Sequence, residues 1–277
     1  VSRDLVLAGL VLIVCGALAW APGLLPATSG RSERATWWRL WGPLLPAATA
    51  LALLVGWALQ EPSTTDELLR PAAALAALPV ALVWARATWR AVRALSARVD
   101  APAAVVGLLR PRVEIDARLA EVVSSAGMEA ARAHEEAHAR HRDPLRIWLA
   151  QLATDLQWPF GGAAARLAAW LDALELARDD EARRAGARGE DLAEALVGAA
   201  RLSTSQSTRL AAVARLDGPS RALAARVERL LAPLEPERRP ARRRVAVLAV
   251  TATLLAAAWL GFAHGDLALR ALPFVVS

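Results

Sequence analysis

The chain contains no lysine and no tyrosine, and it has a single cysteine, a single methionine and four histidines. One cysteine, Cys15, excludes an intramolecular disulfide and any cysteine-based metal site. With lysine absent, every basic side chain is arginine, which reflects a GC-rich genome more than a function. The net charge of +6 lies wholly within residues 86–244, where 27 Arg face 21 Asp and Glu. That excess gathers at the two ends of the region, and no basic stripe interleaved with aromatics is present. A nucleic-acid partner is therefore not expected, and anionic lipid headgroups fit the charge better.

What the chain does have is apolar mass: 56 % of its 277 residues are hydrophobic, in clumps and not in a regular period. Residues 5–26, 43–60 and 245–263 are long and uncharged enough to read as membrane spans. Residues 71–85 reach span length only if Arg86 and Arg90 snorkel to the interface. Most of the 11 tryptophans, among them Trp20, Trp57, Trp84 and Trp259, lie at or near the ends of these runs, where an interfacial belt puts them. The first run also has the position of a signal peptide, but its length and the cancelling Arg3 and Asp4 favour an uncleaved anchor. Arg31, Arg34 and Arg39 follow the first run, and Arg86, Arg90, Arg93 and Arg98 follow the third. The positive-inside rule puts both sets in the cytoplasm, which requires four spans. The expected protein is thus a mainly α, multi-pass cell-membrane protein with both termini outside. Residues 1–85 hold three transmembrane helices, 86–244 a cytoplasmic domain, 245–263 the fourth helix and 264–277 a short external tail.

Within the cytoplasmic domain, His134-Glu135-Glu136-Ala137-His138 has the HExxH spacing of a zinc peptidase helix. Residues i and i+4 share a helix face, so two imidazoles can hold one zinc ion while Glu135 reaches a metal-bound water. The alternative is a charged surface helix. His141 stands a turn too far along to join the pair, and His264 falls outside the membrane by the expected topology. A carboxylate is then the third ligand. Glu175 and Asp179 share one face of a helix expected over 163–185, so Glu175 could ligate and Asp179 could hold a ligand histidine by its other ring N–H. Pattern alone leaves this level with an ordinary solvated helix end. Around these residues the sequence predicts a β-hairpin about Arg110-Pro111 within 103–115 and a helix over 126–142. Asp143-Pro144 reads as N-cap and N1 of a helix to Gln157, which lies either against the membrane or in the core. Helices are expected over 190–201 and 219–231, and a linker over 233–244.

The order Gly107-Leu-Leu-Arg-Pro-Arg112, HEEAH, Arg140-His-Arg-Asp-Pro144, Trp158-Pro-Phe160 and Glu175-Leu-Ala-Arg-Asp-Asp180 resembles the antirepressor family of integral membrane zinc peptidases, the family of the β-lactam-sensing signal transducers. The resemblance implies three spans, a cytoplasmic zincin-like metallopeptidase domain and a fourth span. It implies Zn2+ held by His134, His138 and Glu175, with Glu135 catalytic and Asp179 supporting a ligand. It further implies a protein substrate such as a transcriptional repressor, beside the lipid bilayer. Glu136 departs from the apolar residue usual in the family, but it points away from the zinc face. No external penicillin-binding domain follows within 264–277, so β-lactam sensing by this chain alone is not expected. A membrane protease of the prenyl-protease type and a catalytically dead scaffold are the competing classes, and no feature specifies an oligomeric state.

Overall fold

The computed structural model describes residues 32–60, 71–95, 101–158, 161–203, 220–234 and 243–270. Among them the chain is mainly helical, with one small antiparallel hairpin, as expected. Helices α1 (Glu33–Trp41), α2 (Leu45–Gln60) and α3 (Pro71–Leu95) precede strands β1 (Ala103–Val106) and β2 (Arg112–Ile115). Then come α4 (Ser125–Arg140), α5 (Asp143–Asp155), α6 (Gly161–Arg184), α7 (Gly189–Ser203), α8 (Ser220–Leu231) and α9 (Arg243–Arg270).

The hairpin pairs Ala103 with Ile115 and Val105 with Val113, so it turns about Arg110-Pro111 as the sequence implies. Its β1 side chains Ala103, Ala104 and Val105 are buried, and both strands pack on α4. The start of α4 is fixed by Ser124, whose Oγ accepts from the Gly127 N–H at 3.0 Å. The Ser124 N–H and hydroxyl in turn donate to Glu194 on α7 at 2.8 and 2.6 Å. Ala130, Ala131 and Ala137 are buried along α4, and these small side chains let α6 and α7 approach its backbone closely.

Two apolar clusters flank α4. One joins Leu119, Ala130, Ala131, Leu192, Leu196 and Leu230 beneath α7 and α8. The other joins Leu40, Ile147, Ala150, Leu167, Trp170 and Leu174 from α1, α5 and α6. The sequence treats residues 27–42 as a loop between spans. Instead α1 is a helix capped by Ser32, and Leu40 is fully buried. Trp37 lies 4.9 Å from Trp170, ring centre to ring centre, so α1 belongs to the same packed body as α5 and α6. Of the two positions left open for the helix beginning at Asp143, the structure has the core: Ile147 and Ala150 are buried, and Trp148 Nε1 donates to the Ala91 carbonyl of α3 at 3.0 Å.

Of the four expected transmembrane helices, the first lies outside the described residues. Among the described residues, no helix is long and apolar enough to cross a membrane. The 16 residues of α2 reach about 24 Å at 1.5 Å per residue, short of a hydrocarbon core of about 30 Å. In α3, Arg86 and Arg90 do not snorkel; they pair with Asp155 of α5 at 3.3 and 2.9 Å, which ties the end of the apolar run to the globular body. Residues 5–26, 264–277 as side chains, and most of the linker fall outside the described residues. Even so, α3 and α9 expose large apolar side chains, including Leu82 (58 %), Trp89 (66 %), Leu255 (66 %) and Trp259 (66 %). Helices α2 and α9 pack backbone to backbone: a Cβ on Gly56 would fall 1.9 Å from the Ala258 carbonyl oxygen, so only glycine fits there.

Candidate metal centre

The site forms where α4 lies across α6. His134 and His138 are a helical turn apart, and their Nε2 atoms converge to 3.1 Å with the rings at 69°. From α6, Glu175 brings Oε2 to 3.6 Å from His134 Nε2 and Oε1 to 3.7 Å from His138 Nε2. These three residues form a group that could hold a metal ion, with one donor atom from each lying within 4.8 Å of the others. The donor chemistry fits: two imidazole nitrogens and one carboxylate oxygen are ligands that a zinc site takes. Both histidines are fully buried, whereas 12 % of the Glu175 side chain is exposed, so the centre is most accessible beside Glu175.

Each imidazole is held from behind by a carboxylate. His134 Nδ1 lies 3.0 Å from Asp179 Oδ1, and His138 Nδ1 lies 3.0 Å from Asp143 Oδ2. This leaves both Nε2 atoms facing the shared point, the arrangement that fixes tautomer and orientation in histidine metal sites. Asp179 is where the sequence suggests such a partner, one turn along α6 from Glu175. Asp143 is not: its place before Pro144 makes it the expected N-cap of α5. That cap is Arg142, in the left-handed region at φ 52°, with no side-chain capping bond. The sharp turn directs the Asp143 carboxylate inward, where Arg178 (2.5 and 3.2 Å) and Arg146 (2.7 Å) also donate to it. Arg146 continues to Glu33 of α1, so the network behind His138 reaches the first described helix.

Arg226 of α8 completes the opposite side. Its Nε and Nη2 form a fork onto Asp179 at 3.0 and 2.8 Å, and its Nη1 lies 3.1 Å from Glu175 Oε2. Nothing local in the sequence marks this residue, because its partner Asp179 lies 47 positions away. The seat of α8 is set by Gly189, where a Cβ would fall 2.0 Å from the Leu230 carbonyl oxygen.

Glu135 is buried beside the histidines, and neither carboxylate oxygen has a hydrogen-bond partner. Burial raises its pKa against the attraction of His134, His138 and Arg226. On His134 burial acts the other way and disfavours the proton, but Asp179 and Glu175 overcome it and raise the pKa to about 10. Burial alone would lift Glu175; Arg226 and the imidazoles instead hold it below the usual carboxylate range, in the ligating form. His141 points elsewhere, to Glu181 at 2.9 Å on an exposed surface, and it takes no part in the group. The His264 side chain lies outside the described residues. In comparisons with known proteins, no family model, no curated protein and no solved structure matches this chain.

Proposed function

We propose that the chain is a membrane-associated zinc metalloendopeptidase that cleaves a cytoplasmic or membrane-associated protein, in regulatory signalling of the kind that removes a transcriptional repressor. One observation carries this reading: one donor atom from each of His134, His138 and Glu175 lies within 4.8 Å of the others, beside a glutamate whose two oxygens are buried with no hydrogen-bond partner. A buried, unsatisfied carboxylate costs stability, and such groups persist where chemistry uses them.

His134, His138 and Glu175 would hold the zinc, which when bound would supply a Lewis acid and lower the pKa of a water toward about 7. Glu135 is placed to take the proton from the water that attacks the peptide carbonyl. It then returns that proton to the leaving amine as the C–N bond breaks, so it ends the cycle as it began. Asp179 and Asp143 keep both imidazoles pointing inward. Among the described residues the sheet packed on α4 has only two strands, and an extended substrate segment could pair with its edge.

The membrane enters through the exposed leucines and tryptophans of α3 and α9, a surface too apolar to be left in water. The exposed Arg93, which follows the third apolar run, suits anionic headgroups at its edge. On this reading the exposed apolar faces of α3 and α9 seat the protein against the bilayer. The same residue order supports placement beside the antirepressor peptidases, with the catalytic domain in the cytoplasm.

Metal analysis tests the proposal. Protein purified in mild detergent should carry about one zinc per chain, as a single three-ligand site implies. His138→Ala should lose the metal and His141→Ala should keep it. Equal loss in both variants would remove the ligand assignment.

A further inference from the structure

We infer that Arg226 is a positioning residue of the metal centre, and that α8 is the element that delivers it; this rests on the metallopeptidase reading above. Its guanidinium bridges the two carboxylates on α6, with the Nε–Nη2 edge on Asp179 and Nη1 on Glu175. Asp179 in turn meets His134 Nδ1 through Oδ1, an oxygen that also accepts from Arg226 Nη2. One planar cation therefore sets the relative positions of a ligand carboxylate and of the group that orients a ligand imidazole. Only the fork of arginine can do this, because a lysine presents a point charge.

Charge supports the same conclusion. Glu135, Glu175 and Asp179 place three carboxylates in one buried cluster, and Arg226 cancels one of them.

A cation next to a ligand could also oppose the metal by competing for Glu175. The geometry argues against this. Arg226 Nη1 forms an ion pair with Oε2 at 3.1 Å, while Oε1 lies 3.7 Å from His138 Nε2, toward the shared point. A carboxylate has lone pairs for both partners.

The test is a titration of the full-length, metal-free protein in detergent with Zn2+, and separately with Co2+, whose visible spectrum reports coordination geometry. Wild type, Arg226→Lys and Arg226→Gln are compared, and unfolding is followed with and without metal. Zn2+ affinity should fall about 10- to 100-fold in Arg226→Gln, the range for residues that orient ligands, with Arg226→Lys in between. The Co2+ spectrum should change in Arg226→Gln. Unchanged affinity and spectrum in Arg226→Gln overturn the inference, even if both variants melt earlier, because the arginine would then only brace the fold. Tighter binding in Arg226→Gln overturns it as well, since Arg226 would then be a competitor of the metal. If wild type itself takes up neither ion, the metallopeptidase reading falls first and takes this inference with it.

Discussion

Glu135 should be a stability defect that the protein keeps for function. Both of its oxygens are buried without a hydrogen-bond partner, and burial raises its pKa despite three nearby groups that favour the anion. The site therefore disfavours the charged carboxylate on balance. Glu135→Met keeps the length of the side chain and removes both oxygens, and leaving a buried polar group unsatisfied costs about 1–3 kcal/mol. Relief of that cost in the metal-free protein should raise the melting temperature by roughly 2–12 °C, at about 2–4 °C per kcal/mol for a chain near this size. The assay is thermal unfolding in detergent with chelator, followed by circular dichroism. Glu136→Met, on the opposite face of the helix and exposed, is the control and should change little. A lower melting temperature for Glu135→Met than for wild type would refute the reasoning, because Glu135 would then be a satisfied structural group.

Further outcomes follow from the same geometry. Asp143→Asn should cost about 3–5 kcal/mol above pH 4, because it breaks a buried charge network shared with His138, Arg178 and Arg146. Burial would raise the Asp143 pKa, but His138 and Arg178 hold it well below the usual carboxylate range. Its stabilisation is thus complete above the unfolded value near 3.9, so the gap between wild type and variant should close only as pH falls well below that. In the metal-free protein, His134 with a pKa of about 10 contributes stability that is complete below pH 6.5 and fades as pH climbs toward 10. Zinc binding at pH 7 should accordingly release about one proton, measurable by calorimetry in two buffers of different ionisation enthalpy. Asp179→Asn should lower metal affinity or activity about 10- to 100-fold. Asp180→Asn, which loses only a partly exposed pair with Arg229, should cost about 0–1 kcal/mol and leave the metal alone.

The parts of the site legible in the sequence are those set by helical periodicity. His134 and His138, and likewise Glu175 and Asp179, each lie four residues apart on one helix, so their shared faces follow from spacing. Asp143 was misplaced by a sound local rule: an Asp before Pro usually caps a helix. The left-handed turn at Arg142, which frees its side chain, is visible only once α4 and α5 are packed. Arg226, like the partnership of Arg86 and Arg90 with Asp155, depends on contacts across 47 to 69 positions, for which one sequence carries no signal. Helix α1 did leave a trace: Trp37, Leu40 and Trp41 recur at helical spacing. The aromatic belt expected of a membrane protein masked it, and only Trp170 of α6 shows where that face is buried.

The central claim, that this centre cuts peptide bonds with Glu135 as base, is tested most directly by mapping new protein N-termini in cells that express wild type or Glu135→Gln at equal levels. Glu135→Gln keeps the shape and all three ligands and removes only the proton acceptor. At least one cleavage product should be present with wild type and absent with Glu135→Gln, while both proteins carry equal zinc. Identical N-terminal profiles in the two would contradict the account.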